Sequence, residues 1–122
     1  MIQDIRDMLH KFDQHTKNMT DNQRKAFLRS RIAFMEEELN EMKEALFTED
    51  IVDAIIDLVY VAIGTLELFE VDTQKAWDAV HAANMSKEPG HNPTRPNAFG
   101  FPDLIKPAGW KAPCHIGNTG KL

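Results

Sequence analysis

The first 88 residues hold no proline and a single glycine, Gly64. Long helical periods therefore run with little to break them. Strand signals are scarce, whereas apolar residues recur at three- and four-residue spacing. An all-α fold is predicted. Cysteine is nearly absent: Cys114 alone cannot build an internal disulfide framework, and it fits a reducing cytoplasm. Basic residues are outnumbered, with 14 Lys and Arg against 19 Asp and Glu and a net charge of −5. No basic face is visible, which excludes a general nucleic-acid binder but not a compact polyanion held through a metal and a few lysines. The N-terminus carries no apolar signal segment. An uninterrupted apolar run is also missing. Residues 51–69 are long enough to span a membrane, but Asp53, Asp57 and Glu67 lie among them, so a buried core helix is expected and no membrane partner.

With 122 residues and 43% apolar content, one domain with a real core is expected. Helix 1 is predicted over about 2–16, with Ile5, Met8, Leu9 and Phe12 on one face. Helix 2 is predicted over about 23–46, capped by Thr20 or Asp21. Thr48 is expected to cap helix 3, which ends near Phe69, and Asp72 or Thr73 to cap helix 4, which ends near Lys87 before Pro89-Gly90. All six prolines and five of the six glycines follow from Pro89 onward. The expected organisation is a helical domain over 1–88, of four-helix-bundle type, and an extended Pro/Gly-rich arm over 89–122 that packs on a partner subunit or over a site.

The richest feature is Glu36-Glu37-Glu38-Leu39-Asn40-Glu41, followed on the next helix by Asp53 and Asp57 in apolar surroundings. At about 100° per residue, Leu28, Ile32, Met35, Leu39, Met42 and Leu46 form one stripe of helix 2, expected to be core. Glu37, Glu38 and Glu41 share another face with Phe34 and Ala45, and their spacing lets all three converge. Helix 3 is apolar almost all round except for a strip of Asp50, Asp53, Asp57 and Tyr60, continued by Gly64. Like charges one turn apart destabilise a helix unless neutralised. Arg29 or Arg31 is one candidate neutraliser. A hard divalent cation with oxygen ligands, Mg²⁺ or Mn²⁺, is the other and the usual one. Gly64 is costly inside a helix and points to close approach of a backbone or ligand. The short turn between helices 2 and 3 makes them antiparallel, so the two acidic strips can face each other.

The order Glu37-Glu38-Leu39-Asn40-Glu41, then Asp57-Leu58-Val59-Tyr60…Gly64, then Val80-His81-Ala82-Ala83-Asn84-Met85-Ser86-Lys87, resembles the all-α nucleoside triphosphate pyrophosphohydrolases. These include MazG, dimeric dUTPases and phosphoribosyl-ATP pyrophosphatase. The resemblance covers about 31–87 and is greatest to MazG-like members. It implies a cytoplasmic, Mg²⁺-dependent hydrolase that cleaves an NTP or dNTP between the α- and β-phosphates. It implies that Glu38, Glu41 and Asp57 hold metal, that Glu37 ligates metal or orients the attacking water, and that Asn84 and Lys87 contact substrate. One departure stands out. MazG has Glu-x-x-Asp on the second acidic helix, whereas here Ala54 lies three before Asp57; Asp53, four before, offers an oxygen from the same face.

Glu37, Glu38 and Glu41 are all candidates for the general base. Lys87 also suits a helix C-terminus without any ligand. His81 is expected to be structural and Trp77 to be core. Cys114 and His115 lack the further cysteines of a zinc site, and nothing marks an activated thiol. A homodimer or homotetramer is expected, because helices 1 and 4 give the acidic helix pair too little cover. The alternatives are a phosphoribosyl-ATP pyrophosphatase, or a non-catalytic helical module oligomerised through metal.

Overall fold

The structure is a computed structural model and describes residues 1–122. Four helices carry the chain: α1 (Ile2–Lys11), α2 (Asp21–Glu44), α3 (Thr48–Leu68) and α4 (Thr73–Met85). Two short strands, β1 (Glu88–Gly90) and β2 (Asp103–Ile105), form an antiparallel pair. The chain is all-α in class, as expected, and divides into two compact units. One comprises residues 1–73 and 117–122; the other comprises residues 74–116.

In the first unit, α2 begins with a capping box. Thr20 Oγ1 accepts from the Gln23 backbone N–H at 3.2 Å, and the Gln23 side chain accepts from the Thr20 N–H at 2.8 Å. The α3 start differs from expectation: Phe47 is the N-cap, without a side-chain cap, and Thr48 is already helical. Helix α1 is also shorter than predicted. Asp13 takes a left-handed conformation (φ 49°), which ends the helix and turns Thr16 inward. Thr16 is then fully buried, and its hydroxyl donates to the Leu68 carbonyl at 2.7 Å, one of the free acceptors at the end of α3. Replacing Thr16 with Val orphans that carbonyl at nearly constant volume. We expect a loss of about 1–3 kcal/mol in urea denaturation; an unchanged midpoint would show that solvent reaches this carbonyl.

The core is built where α1 and the start of α2 meet the end of α3. Ile5, Leu9, Ile63, Leu68 and Phe69 are buried together, with Phe27, Leu28 and Tyr60 packed against them. The Phe27 and Phe69 rings stack at 6.0 Å. Arg6 on α1 clamps Glu67 on α3 through two bonds, at 2.7 and 3.2 Å. The C-terminal residues close this end. Lys121 N–H donates to the Phe69 carbonyl at 2.7 Å, and Asn118 pairs with both backbone groups of Asp72 at 2.8 and 2.9 Å. Gly120 is fixed by this turn: its φ is +52°, and a Cβ there would collide with the Phe69 carbonyl oxygen. Gly120→Ala is expected to release the C-terminal residues, seen as faster amide exchange at Asp72 and Lys121; unchanged protection there would count against the clamp.

The other end of the α2–α3 pair is thinly covered. No α2 residue is fully buried, and of the stripe expected to be core only Leu28 packs on the core of the single chain; Ile32, Leu39 and Leu46 are exposed. The first half of α3 is exposed likewise at Val52, Ile55, Ile56 and Val59. The reason is geometric. The faces that α2 and α3 turn to each other carry Glu38 and Arg31 on one side and Ala54, Val61 and Thr65 on the other, so part of the apolar surface points away from the pair. No helix is long and apolar enough to cross a membrane.

In the second unit, α4 is semi-buried along Ala76, Ala79 and Ala83, and Trp77 lies off that strip, 58% exposed rather than in a core. The β1–β2 ladder leaves no periodic signal in the sequence, because each strand is only three residues long. It pairs Glu88 with Ile105 and Gly90 with Asp103.

Candidate active site

Helices α2 and α3 are joined by residues 45–47 and run antiparallel, which fixes which residues face each other. Near the start of α2, Arg31 reaches the second half of α3: its Nε donates to Thr65 Oγ1 at 3.0 Å and its terminal nitrogen to the Val61 carbonyl at 3.1 Å. Two turns further along α2, on the same face, Glu38 meets the first half of α3.

Glu38 is the centre of the acidic face. One carboxylate oxygen, Oε2, is buried and has no hydrogen-bond partner. Burial pushes the Glu38 carboxyl above its ordinary range, and Glu41, Asp57, Glu37 and Asp53 push it further in that order. The four other carboxylates proposed from sequence thus all bear on Glu38, which is innermost, while they themselves are exposed. They do not close into a ready-made chelate, since no group of three His, Cys, Asp or Glu side chains is disposed to hold a metal ion as it stands. The departure at position 54 has a structural meaning. Ala54 is buried, only 3% exposed, against the helix pair, so the carboxylate that MazG carries there is missing from the seam. Asp53 lies about 100° round the helix and acts on Glu38 least of the four.

Arg31 does not neutralise the acids. It makes no ion pair with a carboxylate, sits over the Phe34 ring at 5.7 Å, and is held to α3 by neutral acceptors alone. Burial lowers its pKa from the usual arginine value, and it remains a cation. A Cβ at Gly64 would stand at ordinary contact distance, 3.4 Å from the Arg31 guanidinium and 3.7 Å from Ile5, so packing there does not by itself demand glycine. Arg31 and Ile5 are the side chains nearest to that position.

Asn84 and Lys87 belong to the second unit, at and just beyond the end of α4. Asn84 is exposed, and its carbonyl accepts from the Lys87 N–H at 3.1 Å. Lys87 Nζ lies 5.5 Å from the centre of the Trp110 ring. Cys114 is exposed and free, and His81 is exposed.

Residues 5–84 match the family of phosphoribosyl-ATP pyrophosphohydrolases. The chain belongs to that family. It therefore falls within the MazG-like all-α NTP pyrophosphohydrolase superfamily, and the family supports a pyrophosphohydrolase activity. The matched segment includes all five carboxylates and Asn84, and stops short of Lys87 and everything after it. No curated protein matches the chain significantly.

Proposed function

We propose that the chain hydrolyses a nucleotide between its α- and β-phosphates, releasing a monophosphate and pyrophosphate, with Mg²⁺ or Mn²⁺ bound at the acidic face. The observation that carries this reading is the orphaned Glu38 Oε2, ringed by four more carboxylates and by no cation of the chain. Such an arrangement is costly unless a positive partner enters it. The donor set is all carboxylate oxygen, which suits a hard divalent cation and not zinc or copper. Glu38, Glu41 and Asp57 would hold the metal, with Glu37 and Asp53 as further ligands. The bound ion supplies charge neutralisation at the phosphates and a more acidic water.

The chain's own part is positioning and proton handling. Glu37, Glu38 and Glu41 offer acceptor oxygens for the proton of the attacking water. The rigid α2–α3 seam, anchored by Arg31, keeps those acceptors on one face. Asn84 presents a donor and an acceptor for a base or ribose, and Lys87 a point charge for phosphate. Two substrate classes fit: NTPs or dNTPs, and phosphoribosyl-ATP, which the matched family favours by its description. The same bond is cut in both. Pyrophosphate release from a panel of NTPs, dNTPs and phosphoribosyl-ATP, with Mg²⁺ and with EDTA, tests the reading. Metal-dependent release from any of them is the expected result. No release, with stabilisation by metal that nucleotide does not change, would leave a non-catalytic metal-bound module.

The same reading needs more than one copy. The exposed stripe of Val52, Ile56 and Val59 on α3, at helical spacing, and Leu46 and Phe47 beside it lie at the end of the helix pair that bears the carboxylates. A second copy of this chain, in a homodimer or a dimer of dimers, is the proposed cover.

A further inference from the structure

The register of the small hairpin sets two like charges against each other. Glu88 pairs with Ile105, so the next position out places Lys87 across from Lys106. Like charges directly opposite destabilise a β pair. Here they are drawn together further: Lys87 Nζ lies 5.5 Å and Lys106 Nζ 4.8 Å from the centre of the same indole ring, that of Trp110. The ring itself is pinned to α4 by a bond from Trp110 Nε1 to the Ala83 carbonyl at 2.9 Å. Neither lysine makes an ion pair with a carboxylate of the chain, although acids outnumber bases by five.

Both lysines line a cavity of about 590 Å³ that Arg95 also lines. Its single acid, Asp103, is already engaged with Arg95 at 3.5 Å. The approach of Arg95 is held by the Asn92 side chain, whose oxygen accepts from the Thr94 and Arg95 backbone N–H groups at 3.0 and 3.2 Å. Three cations thus face one cavity with one carboxylate among them, in an acidic protein. A positive concavity of this kind concentrates anions, and Lys and Arg donors on several sides suit the oxygens of a phosphate. The volume exceeds what a single small ion needs and falls in the range of small-molecule sites.

We propose that this hairpin cavity is a phosphate site, in which Lys87, Arg95 and Lys106 hold a phosphate or diphosphate group, and that the two lysines report its arrival through the Trp110 ring on which they stack. All three of its cations, and the Trp110 ring on which two of them stack, lie outside the family match, so the site belongs to this chain's own C-terminal segment. The inference rests on the function proposed above for the kind of ligand and shares Lys87 with it; Arg95 and Lys106 are new to it, and its geometry lies wholly within residues 74–116.

The test uses the full chain in EDTA, so that the carboxylate face plays no part. Trp77 and Trp110 are the only tryptophans; Trp77→Phe leaves Trp110 as reporter. Inorganic phosphate, pyrophosphate and AMP are titrated at constant ionic strength, with chloride as the control anion. A saturable change in Trp110 emission is expected with pyrophosphate, because an anion draws the two ammonium groups off the ring. The order of affinity among the three ligands tells a diphosphate site from a monophosphate or nucleotide one. Arg95→Ala with Lys106→Ala should weaken the response about tenfold or more, and Lys106→Arg should retain it. Arg95 and Lys106 are exposed, so these changes leave the fold intact, which circular dichroism checks. A response that never saturates, or one the double variant keeps in full, overturns the site. Glu38→Gln should keep the response whatever it does to turnover, which separates failure of this site from failure of the carboxylate reading.

Discussion

Replacing Glu38 with Gln is expected to abolish pyrophosphate release and, at the same time, to raise the melting temperature of the metal-free protein. The two effects have one cause. Glu38 Oε2 is buried without a partner, and four carboxylates bear on it. The amide keeps the shape, removes the desolvated charge and relieves the repulsion. Removal of one oxygen ligand and candidate base should lower turnover by on the order of a hundredfold or more. Metal should then no longer stabilise the variant as it stabilises the parent. A pH series adds a sign. Because burial and its neighbours raise the Glu38 pKa in the folded state, the metal-free protein gains stability as pH falls through that raised value toward the ordinary carboxyl range, and loses it as pH rises. The gap in melting temperature between parent and Glu38→Gln should therefore narrow on mild acidification. A variant less stable than its parent in EDTA at neutral pH would mean that Glu38 has a partner in solution, and the metal reading would lose its support.

Asp57→Asn is expected to follow the same pattern with a smaller gain in stability, since Asp57 is exposed and acts on Glu38 from outside. Its effect on hydrolysis should be equally severe, because the resemblance gives it a metal-holding role. Full activity in Asp57→Asn would remove it from the site.

What could be read in advance followed from periodicity and from the turns. Four helices were legible because apolar spacing at 3.6 residues, a proline-free run and capping residues such as Thr20 all agree locally. The antiparallel α2–α3 pair followed from the shortness of residues 45–47. Burial was not legible from the same pattern. Helical spacing identifies an apolar face but not what covers it, and so it does not tell that most of the α2 stripe beyond Leu28, and Val52, Ile55, Ile56 and Val59 of α3, lie open in the single chain. Gly64 stays without a structural explanation: glycine is costly in a helix, yet its nearest neighbours, Arg31 and Ile5, lie at ordinary contact distance from a Cβ placed there. Arg31 reads in the sequence only as a candidate counter-ion, because a long flexible side chain can reach either the acids or the carbonyls of α3, and spacing alone does not choose. The pairing of Lys87 with Lys106 depends on hairpin register, which two three-residue strands around a 12-residue loop do not specify in sequence.

The exposed α3 stripe carries the other large expectation. Ile56 is 57% exposed in the single chain, between Val52 and Val59, which are 62% and 38% exposed. If that surface faces water, Ile56→Glu should change stability by no more than about 0.5 kcal/mol, as exposed substitutions do. If a second copy covers it, the same change buries a carboxylate in an apolar interface that already adjoins five others, and the assembly should fall apart. We expect the parent to run in light scattering as a multiple of 13.9 kDa and Ile56→Glu to run at that mass. We also expect the variant to melt at a temperature that no longer rises with protein concentration. Hydrolysis should fall with it, because α3 carries Asp53 and Asp57 one residue or one turn away from the stripe, and loosening its first half would spread the carboxylates apart. A parent that is monomeric at micromolar concentration, with Ile56→Glu behaving like it, would leave this stripe as solvent-facing surface. The seam held by Arg31, Val61 and Thr65 would then have to keep the acidic face in order without help.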